Sequence, residues 1–324
     1  MCKKVVIFLS TLLVACGSIN PALAKEYPTK PIEILCTFTP GSSMDLMARI
    51  VADIAKKYLG QPIVVINKPG ASGAIAAADI VTSNPDGYKL LTATSVFISI
   101  VLQTQKIPFD PSDLTPIVNF MEYKLGMAVK SSSPWKTLGE LLDYGSKNPD
   151  KLRWCHPGRG TTLQINTLLI FKKAGVQTIE VPYKGSPEMI SALLGGHVDA
   201  SAIAYGAAKE QVKAGNVRYL TFYSDRRYSD PSGVPCAAEL GFPEAAKLPT
   251  LVGLYAHKHT PEEIKKILFN AFKKTYEDPE FKKGFEKFGE EPRFEGPEFL
   301  NEAIKKSEEI GTPILKELGL YGGK

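Results

Sequence analysis

The sequence predicts a two-domain α/β protein whose chain crosses twice between its domains and so places a cleft between them. Three observations carry this. Short apolar runs alternate with amphipathic helical segments through nearly the whole chain, the pattern of a mostly parallel sheet covered by helices. The alternation is interrupted near Ile117–Lys130, where two strand-like runs follow one another directly, and then resumes. The chain has 324 residues, and what remains beyond an N-terminal export segment suits about two domains.

Residues 1–24 read as that export segment. Lys3 and Lys4 open it, and the apolar run Val5–Ala15 is too short to span a bilayer comfortably. Ala22-Leu23-Ala24 supplies a small-x-small cleavage site. Leu13-Val14-Ala15-Cys16 is an alternative, a lipobox that would leave a lipid on Cys16. Both readings export the chain to the periplasm.

Ile32–Thr37 then reads as a strand and Ser43–Tyr58 as a helix, with Met47, Ile50, Val51, Ile54 and Tyr58 on one face. Pro62–Asn67 is a strand, Ala74–Val81 a short helix ended by the turn Asn84-Pro85-Asp86-Gly87, and Lys89–Thr94 a third strand. Thr115–Phe120 and Leu125–Lys130 are the adjacent runs that mark the first crossing. Beyond it, strands at Leu152–Cys155, Thr178–Pro182, Val198–Ala204 and Val217–Ser224 alternate with helices at Leu138–Ser146, Thr162–Lys173, Pro187–Leu194 and Ala207–Ala214. A Pro- and Gly-rich loop runs from Ser224 to Leu248, Leu251–His257 is the returning strand, and three Lys/Glu-rich helices wrap the end of the chain. The domains are therefore 25–124 plus 252–324, and 125–251.

Composition excludes several classes. The chain is 44% hydrophobic and 23% charged, ordinary for a globular α/β protein. Its net charge of +5 is weak and evenly spread, which argues against nucleic acid as a partner. No later segment has the run of a membrane helix. Cys36, Cys155 and Cys236 remain beyond residue 24, an odd number; buried free thiols are the expectation, with one disulfide left open.

The chemistry gathers at strand-to-helix junctions. Thr39-Pro40-Gly41-Ser42-Ser43, Asn67-Lys68-Pro69-Gly70-Ala71-Ser72-Gly73 and Pro157-Gly158-Arg159-Gly160-Thr161 each end a strand with Pro-Gly and small residues before a helix. A helix start leaves about four backbone N–H groups without intrahelical partners and carries roughly half a positive charge. Such ends bind carboxylates and phosphates, and in open α/β sheets they lie where ligands bind. Two readings stand at each. Ser42-Ser43-Met44-Asp45 is also a capping box with Asp45 as its third residue. Arg159 either clamps a carboxylate or points to water.

Along essentially the whole mature length the chain resembles the tripartite tricarboxylate transporter receptor family, the Bug-type extracytoplasmic solute-binding proteins. The resemblance is carried by Tyr27-Pro28-Thr29-Lys30-Pro31-Ile32, Phe38–Asp45 with Ala48-Arg49, Leu59–Val65, Asn67–Gly73 and Pro85-Asp86-Gly87-Tyr88. It continues in Val181-Pro182-Tyr183-Lys184-Gly185, Leu194–Ala200, Gly253–His257 and Thr260-Pro261. It implies a type II periplasmic-binding-protein fold and a binding function without catalysis or cofactor. The implied role is to capture a small organic acid, a di- or tricarboxylate or a carboxylate with a second polar group, and deliver it to the large and small membrane subunits of a transporter, as a monomer. The residues it implies for the ligand are Thr39, Gly41, Ser42, Ser43 and Asp45; Ala71, Ser72 and Gly73; and Gly158, Arg159, Gly160, Thr161 and Thr162. Tyr183, Lys184 and Asp199 line or brace the second domain's side. Ser42 and Ser43 stand where the family has glycine, Gln164 stands in place of its usual His, and Arg159 is an added charge.

Three rivals are weighed. A hydrolase would need a base beside its nucleophile, but Cys155 and His156, adjacent in a strand, point to opposite faces. A metal receptor could use His257 and His259, but no acid or thiol nearby completes a set of four. A ligand sensor feeding a signalling system would use the same cleft.

Overall fold

The structure, a computed structural model, describes residues 27–322. The export signal, its cleavage site and Cys16 lie outside the described residues.

Two α/β domains are built on two sheets. The first has the order β11-β4-β10-β3-β1-β2. Its strands are β1 (Ile32–Cys36), β2 (Ile63–Asn67), β3 (Lys89–Thr94), β4 (Leu114–Glu122), β10 (Leu251–His257) and β11 (Glu291–Glu295). The second has the order β7-β6-β8-β5-β9, formed by β5 (Leu125–Lys130), β6 (Leu152–His156), β7 (Thr178–Pro182), β8 (Ala200–Ala204) and β9 (Val217–Phe222). Parallel pairing is confined to β2-β1-β3 and β7-β6-β8; β4, β5 and β10 pair antiparallel with their neighbours. The expectation of mostly parallel sheets is corrected to mixed ones. The reason lies in the crossings: β4 leads the chain out and β10 leads it back, so as neighbours they run in opposite directions.

Both faces of each sheet are covered. In β1, Ile32, Ile34 and Cys36 pack under α1 (Ser43–Leu59), while Leu35 packs on the other face with α2 (Ala74–Thr82). This is the period-two alternation of a strand. α1 buries Met47, Val51 and Ile54 and stops at Gly60, whose N–H bonds Lys56 O at 3.0 Å. Tyr58 is not on that buried face; it is 39% exposed and donates its hydroxyl to Asp278. In the second domain α5 (Thr162–Lys173) covers β6, where Trp154 and Cys155 point to opposite sides. The remaining helices there are α4 (Leu138–Lys147), α6 (Ser186–Leu194) and α7 (Tyr205–Lys213). Cys36, Cys155 and Cys236 are free and buried.

The C-terminal helices are α8 (Glu262–Glu277), α9 (Pro279–Phe288) and α10 (Pro297–Glu317). Two elements were not anticipated. α3 (Ser95–Ser99) follows β3 without a break, and its Val96-Phe97-Ile98 content has strand propensity. β11 contains Pro292, which is tolerated because β11 is an edge strand.

Candidate functional site

The two principal junctions are the same device built twice. In the first domain Ser42 caps α1: its Oγ accepts the Asp45 N–H at 3.3 Å, and Asp45 Oδ2 accepts the Gly41 N–H at 2.9 Å. In the second, Thr161 caps α5: its Oγ1 accepts the Gln164 N–H at 3.4 Å, and Gln164 Oε1 accepts the Gly160 N–H at 2.7 Å. Gly41 and Gly160 have φ of 80° and 75°, a left-handed turn that suits glycine. Each junction is a capping box displaced by one residue, with the reciprocal bond reaching the residue before the cap.

This assigns the side chains. Ser42, Asp45, Thr161 and Gln164 hold loops. Asp45 also accepts from Asn67 Nδ2 (2.8 Å) and Arg49 Nε (3.1 Å). Burial works against its ionisation, yet the Arg49, Gly41 and Asn67 donors outweigh it and hold its carboxyl below the usual range. Gln164 Nε2 donates to Glu180 (2.6 Å), which also faces His156 Nε2 at 3.3 Å. His156, chiefly, holds the Glu180 carboxyl below its usual range. What each helix start leaves for a ligand is its first-turn backbone, at Ser43 and Met44 and at Thr162 and Leu163. The first turn-closing bonds begin only at Leu46 and Ile165.

Met44, Thr162 and Leu163 line one cavity of about 50 Å³ between the domains. Thr37 and Phe38, at the end of β1, and Ser72 line it from the first domain. Thr94 and Phe97 come from the unanticipated β3–α3 step, and Val101 from the short turn that follows α3. Tyr123 and Leu125 are contributed by one crossing and Thr250 by the other, with Pro157 and Thr161 from the second domain's loop. The crossings are bonded to each other, Tyr123 N–H to Thr250 O at 3.0 Å.

The domains meet around this cavity. A Cβ on Gly158, whose φ is 141°, would stand 2.5 Å from Ser72 Oγ. A Cβ on Gly185 would overlap Thr39 Oγ1. Gly41 faces Pro187 in the same way, 3.5 Å from where its Cβ would lie. Ala71 and Ser72 hold φ of 46° and 50°, left-handed values that cost non-glycine residues energy and mark a constrained loop. The Ala71 carbonyl accepts Gln105 Nε2, and Gly73 is buried beneath the loop.

Of the expected ligand residues, Ser72, Thr161 and Thr162 line the cavity. Arg159 is exposed and donates to Gly319 O at 3.2 Å, bridging to the end of α10. Ser43 Oγ donates to Glu290. Tyr183 N–H bonds His156 O, and Lys184 is exposed with its N–H on Glu188. Asp199 accepts the Arg153 N–H at 2.8 Å, near the far end of β6 from the cavity.

Glu290 was missed by the sequence reading. It is buried, and it accepts from Ser43 Oγ (3.2 Å), the Gly206 N–H at the start of α7 (2.8 Å) and the Lys124 N–H at the crossing (2.8 Å). Burial pushes its carboxyl up to about 7 against the pull of Lys124, Gly206 and Ser43. One side chain from residue 290 thus ties α1, α7 and the crossing together. Among the described residues there is no group of three or more His, Cys, Asp or Glu placed to hold a metal, and no helix long and apolar enough to cross a membrane.

Two domains, paired crossings and a partly open cavity between the domains, faced by helix starts from both sides, define a solute-binding receptor of the two-domain, type II periplasmic class. The model of the tripartite tricarboxylate transporter family receptor matches residues 47–320, and the chain belongs to that family. A relative from Cupriavidus necator, the UPF0065 protein in the gbd 5' region, is 36% identical over 304 residues, 92% of this chain and 90% of that protein. A solved periplasmic transporter is 30% identical with a TM-score of 0.85, covering 91% of this chain and 99% of its own. Rpa4515 of R. palustris, solved with adipate, is 25% identical with a TM-score of 0.84, over 91% and 99%. The family consists of periplasmic solute-binding receptors, not enzymes.

Proposed function

We propose that the chain captures a small organic carboxylate in the cleft between its domains and hands it to the large and small membrane subunits of a tripartite tricarboxylate-type transporter. The observation that carries the reading is the convergence of two capped helix starts, one from each domain, on one cavity. Their first-turn N–H groups and dipoles favour an anion without any cation. The adipate bound to Rpa4515 supports the same class. The ligand draws 25–124 plus 252–324 against 125–251, the hinge being the crossings near residues 124 and 252. Export uses residues 1–24, with lipid attachment at Cys16 as the other processing route, and the receptor works as a monomer.

A thermal-shift screen of the purified chain tests this. A ligand of the native state stabilises it by about RT ln(1 + [L]/Kd), about 2.7 kcal/mol at a hundredfold excess over Kd. Carboxylates should raise Tm where their neutral amides do not. Equal shifts from acids and amides, or none from any acid, would count against the proposal.

A further inference from the structure

We infer that the Tyr123 hydroxyl is a ligand donor, set at the hinge crossing beside the start of α1, where it bonds an oxygen of the carboxylate that the helix starts hold. The inference rests on the carboxylate reading above and adds to it a specificity-determining residue that neither the sequence pattern nor the family resemblance pointed to.

Tyr123 lies between β4 and β5, in the crossing itself, and lines the cavity. Its place is fixed. Its N–H bonds Thr250 O on the returning crossing at 3.0 Å, and the next N–H, that of Lys124, bonds Glu290 at 2.8 Å. Its side chain packs against the cores of both domains. Burial first, then the charges of Glu290 and Cys36, push its hydroxyl well above the usual range, so it keeps its proton and can donate. The two groups whose charges reach it also place it. Glu290 accepts from Ser43 Oγ in the first turn of α1, and Cys36 ends β1, next to the lining residues Thr37 and Phe38. The hydroxyl thus lies toward the first domain's side of the cavity, near the first turn of α1.

Buried tyrosines usually bond their hydroxyl. Three in the second domain do: Tyr205 donates to Asp230 at 3.1 Å, Tyr219 to Ile203 O at 3.3 Å, and Tyr223 shares a bond of 2.6 Å with Thr167. The Tyr123 hydroxyl has no hydrogen-bond partner among the described residues, yet it is not sealed in without one as the Tyr255 hydroxyl is. It opens onto the cavity that Tyr123 lines. Other lining hydroxyls are partly engaged, Thr94 by the Phe97 N–H and Thr162 by Thr250. A phenol hydroxyl bonded to an ionised oxygen makes the stronger, charge-assisted kind of hydrogen bond. Mounted on the crossing, it gives the ligand a contact with a third part of the molecule besides the two helix starts.

The experiment is titration calorimetry of the purified chain and of Tyr123→Phe with butanoate, succinate, adipate and citrate, which carry one to three carboxylates, together with Tm of both ligand-free proteins. The variant keeps the ring and its packing and removes only the hydroxyl. The acid that binds the parent most tightly should lose about ten- to a hundredfold in affinity. Tm of the ligand-free variant should stay within about two degrees of the parent or rise, because no protein partner is lost. Equal affinity in parent and variant overturns this inference and leaves carboxylate capture standing. A clear fall in Tm, or a variant that does not fold, makes the hydroxyl structural and also overturns it. Binding of none of the four acids by the parent overturns this inference together with the carboxylate reading.

Discussion

Substituting Gly185 by Ala should weaken ligand binding while leaving each domain intact. Gly185 precedes α6 with φ of −179°, extended backbone that alanine adopts freely, so the second domain carries no strain from the change. The obstacle is across the cleft. The new Cβ would overlap Thr39 Oγ1 and stand 3.2 Å from Thr39 Cβ and 3.5 Å from its Cγ2. Thr39 is β-branched, so rotating it tends to exchange one heavy atom for another at the same place. Overpacking of this kind costs about 1–3 kcal/mol. Here it falls on the closed arrangement alone, so Kd should rise between about fivefold and about 150-fold. Calorimetry with the acid that gives the largest thermal shift measures it, and Tm of the ligand-free variant should stay within about a degree of the parent. Thr39→Ala removes Oγ1 and Cγ2 and should recover most of the loss in the double variant, a coupling that a double-mutant cycle reads directly. Parent-like affinity for Gly185→Ala would refute the reasoning, because it would mean that Thr39 and Gly185 do not meet in the bound state.

Glu290 should make stability depend on pH. Its carboxyl is raised from 4.5 to about 7, so its contribution is full below about pH 4.5 and is lost as pH rises to about 7. The shift corresponds to about 3 kcal/mol. Glu290→Gln should flatten that part of the Tm profile, and parallel profiles would contradict the assignment. Asp45 has the opposite sign: its lowered pKa contributes stability above its ordinary value of 3.8 that fades as pH falls. Asp45→Ala should cost about 2–4 kcal/mol in urea denaturation at pH 7, since it leaves the Gly41, Asn67 and Arg49 donors without their acceptor. Arg159→Ala should change carboxylate affinity by less than about fivefold, the net worth of one exposed hydrogen bond. A loss of a hundredfold would restore Arg159 as a clamp.

Much of this architecture was legible because local chemistry wrote it. Pro-Gly followed by a capping residue marked both helix starts, and alternating apolar residues marked β1 and β6. The direction of the site was therefore readable, but not which atoms face the ligand. Ser42 and Thr161 look like ligand hydroxyls in sequence. In space they spend their oxygens on Asp45 and Gln164 amides, and the neighbouring backbone is left to the ligand. Phe97, and Val101 in the turn just beyond α3, were hidden because a buried segment rich in β-branched and aromatic residues reads as more strand. Glu290 was hidden because its partners, Ser43, Lys124 and Gly206, are brought to it only by the fold. The thiols were readable: burial above all pushes Cys36 and Cys155 up to about 11, as inert core residues.

The central claim is that two helix starts from opposite domains hold a carboxylate inside the cleft. A crystal structure with the acid giving the largest thermal shift tests it most directly. The account predicts carboxylate oxygens about 2.7–3.2 Å from first-turn N–H groups of both α1 and α5, with the rest of the ligand against Phe97 and Val101. A carboxylate paired with Arg159, or a ligand bound outside the cleft, would contradict it.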